Sequence, residues 1–107
     1  MPQYLFQVGY TAEAWKALVK KPQNRLEAIR PVIEKLGGKI HDFWFCFGEY
    51  DIVGVIEAPD NVSAAAFAIG AAAGGALRSF KTTPLMSVAE GLEALKRAGK
   101  AGYQPPS

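Results

Sequence analysis

The chain is poor in the residues that build covalent and metal frameworks, with one cysteine, Cys46, and one histidine, His41, among 107 residues. A lone cysteine excludes an internal disulfide and a cysteine-based zinc cage, and a lone histidine excludes a multi-histidine metal site within one subunit. A haem would need His41 or an unusual substitute as its axial ligand, so no cofactor and no metal are expected. No apolar run is long enough to span a bilayer and no signal-peptide pattern opens the sequence, which makes a reducing cytoplasm the expected compartment and leaves no role for a membrane. Charge of one sign is also scarce: 12 basic residues against 10 acidic give +2, too little to call for nucleic acid as a partner. The basic residues of the first helical region, Lys16, Lys20, Lys21, Arg25, Arg30 and Lys35, mix with Glu13, Glu27 and Glu34, as on a solvated helix surface. Gly74-Gly75 follows a helical pattern and does not lead into one carrying Lys and Ser or Thr, so a phosphate loop is absent. No Ser/His/Asp or Cys/His constellation follows from linear spacing.

What is present suits one small domain, and a chain of this length buries roughly 60 to 65% of its unfolded surface without disulfides or metal. Gln3 to Gly9 alternates polar and apolar residues and places Tyr4, Phe6, Val8 and then Tyr10 on one side, the period of a half-buried strand. Thr11 follows as a helix N-cap, with Trp15, Leu18 and Val19 at helical spacing. Lys20-Lys21-Pro22 interrupts the pattern, which restarts with Leu26, Ile29, Ile33 and Leu36 and stops at Gly37-Gly38. Pro31 lies inside this second helix, removes a backbone donor and predicts a kink.

An aromatic strand over Lys39 to Phe47, a Gly48-Glu49 turn and an aliphatic strand over Tyr50 to Glu57 read as a hairpin. Pro59-Asp60-Asn61 opens an alanine-rich helix that runs to Ala73 and closes at Gly74-Gly75. Leu77 to Met86 reads as a last strand, with Pro84 arguing for an edge position. Ser87 and Glu90 stand at capping-box spacing before a short amphipathic helix to Ala98. The predicted order is βαββαβ with an added helix: an α+β, ferredoxin-like domain over 1–98 with a four-stranded antiparallel sheet, and a flexible tail over 99–107.

Turn length decides which side chains share a face of the sheet. An even-numbered connection puts Phe43, Phe45, Phe47, Tyr50, Ile52 and Ile56 on one face, and Asp42, Trp44, Cys46, Asp51, Val53 and Val55 on the other. The helices of one unit cover one face, so the second, carrying Trp44 and two valines, needs another cover. A second subunit, in a dimer or a ring of dimers, is the expected one. The alternative is the C-terminal helix folding back over its own sheet, which would leave a monomer.

Gly48-x-Tyr50-Asp51, the aliphatic strand after it, Pro59-Asp60, the alanine-rich helix and Thr82-Thr83 in the last strand together resemble the GYD-domain family over roughly Gln3 to Met86. That resemblance implies the dimeric α/β-barrel type of ferredoxin-like fold and supplies no catalytic residues. The hinge is also loosely similar to the ligand-sensing domain of the Lrp/AsnC regulators, in which effectors bind near such a turn between subunits. The helix-turn-helix segment of those regulators is missing, so the similarity implies a small-molecule pocket without the DNA-binding half.

The candidate ligand-binding residues are Trp44, Glu49, Tyr50, Asp51, His41 and Arg78. Two neighbouring carboxylates, Glu49 and Asp51, can share a proton or hold a cation, while Asp51 can equally accept backbone N–H bonds in the turn. Tyr50 reads first as a packing residue, Cys46 as a small buried hydrophobe, and His41 as an ordinary strand histidine. Trp44 suits either aromatic stacking or an interface, and Arg78, Lys81, Thr82 and Thr83 suit a carboxylate or an exposed strand end. The expected function is a homo-oligomeric small-ligand sensing or accessory module. A small monooxygenase or isomerase using Trp44, His41, Tyr50 and Asp51, and a purely structural assembly protein, are the alternatives.

Overall fold

The computed structural model describes residues 1–106; Ser107, the last residue of the expected tail, lies outside them. The elements are β1 (Gln3–Tyr10), α1 (Ala12–Lys20), α2 (Arg25–Lys35), β2 (Lys39–Phe45), β3 (Ile52–Glu57), α3 (Asn61–Ala73), β4 (Leu77–Leu85) and α4 (Val88–Lys100). The four strands form one antiparallel sheet in the order β2-β3-β1-β4, the ferredoxin-like arrangement. No described helix is long and apolar enough to cross a membrane.

Local chemistry sets the helix ends. Thr11 Oγ1 accepts from Ala14 N–H, Asn24 Oδ1 from Glu27 N–H, and Asp60 Oδ1 from Ser63 N–H, each satisfying a donor that the first turn leaves free. Ser87 and Glu90 form the expected reciprocal capping box. At the end of α2, Gly38 N–H donates to Ile33 O and Gly37 N–H to Glu34 O, the paired bonds of a Schellman closure. Pro31 sits within α2, and the helix continues past it to Lys35.

The core lies between the sheet and α1 to α3. Tyr4, Phe6, Val8, Tyr10, Ile52 and Ile56 point into it, as the alternation of β1 and β3 requires. Phe6, 1% exposed, stands 6.1 Å from Phe43, 5.8 Å from Phe67 and 6.2 Å from Phe80 between ring centroids. Gly54, opposite both Phe6 and Phe43 in the ladder, leaves room for the Phe6 ring, which lies 2.5 Å from where a Cβ would stand.

Three expectations need correction. The strands of the hairpin are shorter than the sequence predicts, and the connection is the six residues Cys46–Asp51 in place of a two-residue Gly48-Glu49 turn. Its even length still pairs Phe45 with Ile52 and Trp44 with Val53, so the two faces divide as expected at those positions. Phe47, however, falls in the connection and is 100% exposed, and Phe45 sits at the rim of the core face. The fold-back alternative also fails: α4 extends two residues past Ala98 to Lys100 and stands off the domain, with Val88, Leu92 and Leu95 exposed. The radius of gyration, 17.1 Å, exceeds the roughly 13 Å of a compact chain this long for that reason. Among the described residues the second sheet face therefore stays open, presenting Trp44 beside half-buried Leu5, Val53 and Val55.

Candidate functional site

The site grows from two irregularities at the hinge end of the sheet. Between β1 and β4 the register shifts at Gly9/Tyr10, so that Gly9 pairs with Ser79, Tyr10 with Leu77, and Arg78 is the extra residue. A bulge of this kind re-aims side chains and takes a backbone donor out of the ladder. The freed Tyr10 N–H donates to Asp51 Oδ2 at 2.9 Å. Asp51 is fixed by its own backbone, which donates to Val8 O and accepts from Cys46 N–H, both at 2.8 Å. Its side chain is only 7% exposed as part of the residue, and the bond to β1 bridges 41 positions of sequence.

Arg78, re-aimed by the bulge, reaches across β1. Its Nη2 donates to Glu49 O at 2.8 Å and lies 3.4 Å from Asp51 Oδ2. The path runs over Gly9, where an added Cβ would stand 2.6 Å from Arg78 Cζ and 2.7 Å from Ser79 Oγ. Glycine is required there for close approach, not for backbone conformation. At Gly48 the reverse holds: φ is +152° and no atom lies within 4 Å of a Cβ position, so the loop needs the glycine for its backbone alone.

Ser79 Oγ is buried and, among the described residues, has no hydrogen-bond partner. A buried hydroxyl without a partner is uncommon and carries a cost. Asp51, Arg78, Ser79 and the Glu49 carbonyl thus converge around Gly9. The guanidinium has donors beyond Nη2, and the hydroxyl can donate as well, a set matched to a planar oxyanion such as a carboxylate.

The other candidates divide. Glu49 takes part through its backbone carbonyl, which accepts from Arg78 Nη2. The donor to Asp51 is on β1 and not in the turn. Tyr50 is half-buried and serves through its carbonyl, which accepts from Cys46 Sγ at 3.3 Å. Trp44, 64% exposed, lies on the same open face two strands from β1. His41 is elsewhere: it is the extra residue of a second bulge, between Ile40 and Asp42, roughly 13 Å along β2 from the hinge end. Its Nε2 lies 3.3 Å from Glu57 Oε1, and this hydrogen bond holds the Glu57 carboxyl below its ordinary range. The reading of the sequence missed Gly9, Ser79 and the Tyr10 N–H; the available signal was a solitary glycine inside a strand pattern, which marks a bulge or close approach.

No curated protein shows significant sequence similarity to the chain. Among solved structures, MtbAldR is similar with a TM-score of 0.57 and 16% identity over 80% of this chain and 53% of its own, so the chain spans about half its length. FFRP-DM1 is similar with a TM-score of 0.50 and 13% identity, covering 80% of this chain and 100% of that one. At these identities the likeness is one of fold. The family model of the GYD domain matches residues 4–95, from β1 into α4, and the chain belongs to the GYD domain family.

Proposed function

We propose that this chain is a homo-oligomeric module that binds a small carboxylate at the Asp51–Arg78 hinge, under the open sheet face of a second copy. The unpartnered Ser79 hydroxyl beside the Arg78 guanidinium carries the reading, because among the described residues it is the buried side-chain polar atom left without a hydrogen bond. Asp51 positions Arg78 and forms an anionic wall that favours a ligand with a cationic or hydrogen-donating group near its carboxylate, as in an amino acid. The second copy supplies the cover. Trp44, Leu5, Val53 and Val55 form an apolar sheet surface, and the apolar row of α4 is equally without a partner in its own chain. The resemblance of the Gly48-x-Tyr50-Asp51 hinge to the ligand-sensing domain of the Lrp/AsnC regulators supports the same placement.

Titration calorimetry with a panel of amino acids, oxo acids and aryl carboxylates tests it. Saturable binding should weaken about tenfold or more in Arg78→Gln, the worth of a charge-assisted hydrogen bond, with the oligomer intact. A panel without a binder, or equal binding by Arg78→Gln, contradicts the assignment. The structural-assembly reading keeps one observation of its own, the amount of exposed apolar surface, and predicts Trp44→Ala splitting the assembly while no ligand shifts its melting temperature.

A further inference from the structure

On the opposite side of the sheet, the helices leave a gap. A cavity of about 390 Å³ opens between α2 and α3, with Phe6, Val8, Tyr10 and Ile52 as part of its floor. It exists because α3 and its C-cap present Ala66, Gly70 and Gly74 in one row, while Ala28, Ile29 and Val32 of α2 face them, and no large side chain fills the valley. The gap is open to solvent along α2 and α3, where Ala66, Gly70 and Val32 are exposed. Its size falls in the range of small-molecule pockets.

Gly70 sharpens the point. Glycine in mid-helix disfavours the helix relative to alanine, yet nothing lies within 4 Å of the place its Cβ would occupy. A larger residue would fit and would steady α3, but it would fill the cavity. One ionic group stands at the mouth, Arg25, the first residue of α2. Its Nη1 donates to Gln23 Oε1 at 2.7 Å, and among the described residues it has no carboxylate partner.

From an apolar trough with a single unneutralised guanidinium at its rim, we propose that this cavity is a second binding site, for a free amphiphilic monocarboxylate. The chain or ring of the ligand lies along Phe6, Ile29 and Ala71, and its carboxylate meets Arg25. The site is independent of the hinge, from which the sheet separates it, and takes a different ligand: apolar body first, charge second.

The experiment uses decanoate and decanol as probes, followed by backbone amide NMR and by calorimetry on the full chain. Decanoate should shift the amides of Ala66, Gly70, Ala71 and Leu77 and leave Gly9 and Ser79 in place. Gly70→Leu should keep or raise the melting temperature and abolish binding of both probes; Gly70→Ala, which adds one methyl into open space, serves if leucine disturbs the fold. Arg25→Gln should weaken decanoate about tenfold and leave decanol unchanged. Absence of decanoate binding, shifts centred on Gly9 and Ser79, or a Gly70→Leu variant that still binds would overturn the proposal. So would Gly70→Leu changing the oligomeric state with decanoate affinity unaltered, since the valley would then be a contact between copies.

Discussion

The same four strands carry two unlike faces. On the helix side, Tyr4, Phe6, Val8, Tyr10, Ile52 and Ile56 are buried among the helices of their own chain. On the other side Trp44 stands mostly in water, with Leu5, Val53 and Val55 half-buried around it. Strand alternation produces both from one run of residues, so apolar content alone does not say which face is the core. What separates them is coverage: α1 to α3 follow strands whose crossovers place them on one side, and α4, the single element free to close the other, extends away. A protein built this way is folded on one face and unfinished on the other. The hinge site lies at the edge of the unfinished face, where Arg78 and Ser79 both turn outward at the bulge.

Substitutions on the two faces should separate stability from assembly. Phe6→Ala removes the ring at the centre of the aromatic cluster and should cost about 3–5 kcal/mol, measured by urea unfolding. An equal loss from Trp44→Ala under monomeric conditions would erase the distinction. At the boundary between the faces, Asp51→Ala leaves the buried Tyr10 N–H without an acceptor and should cost about 1–3 kcal/mol, whereas Asp51→Asn, whose amide oxygen can still accept, should cost less. Equal unfolding midpoints for the two variants would show that the Tyr10 bond is not what Asp51 supplies.

Smaller effects belong to α4 and to the far end of β2. The capping bond from Ser87 N–H holds the Glu90 carboxyl below its ordinary value of 4.5. A group whose folded value is depressed stabilises above its unfolded value, and that contribution fades as pH falls through the lower, folded one. Helical circular dichroism should therefore decline in wild type as pH drops below about 4.5, and Glu90→Gln should flatten that part of the profile. The smallest change is expected at the His41–Glu57 pair: His41→Ala should move the Glu57 titration up toward its ordinary value in an NMR pH series with the fold unchanged. A Glu57 titration that stays where it was would place the cause elsewhere.

The helix boundaries were readable because capping is local. Thr11, Asp60 and Ser87 each sit three residues before the donor they satisfy, and the glycine pairs mark the ends. The face division was readable through parity, although the connection proved to have six residues where a two-residue turn was expected. Gly9 signalled a bulge or close approach, but that His41 and Arg78 are the extra residues was not readable, since an extra residue is defined only against the strand it pairs with. For the same reason the sequence put His41 with the hinge, and missed that Gly9 lets Arg78 cross β1 to reach Asp51. Tertiary pairing chose the site from residues whose linear neighbours say little about it. The placement of α4 was equally closed to sequence reasoning, because its amphipathic pattern fits a fold-back and an intersubunit contact alike.

Sedimentation velocity of the wild-type chain beside Trp44→Glu tests the unfinished face most directly. Wild type should sediment as a dimer or larger assembly and Trp44→Glu as a folded monomer, with the same circular dichroism. A wild-type chain that sediments as a monomer at high micromolar concentration would contradict it.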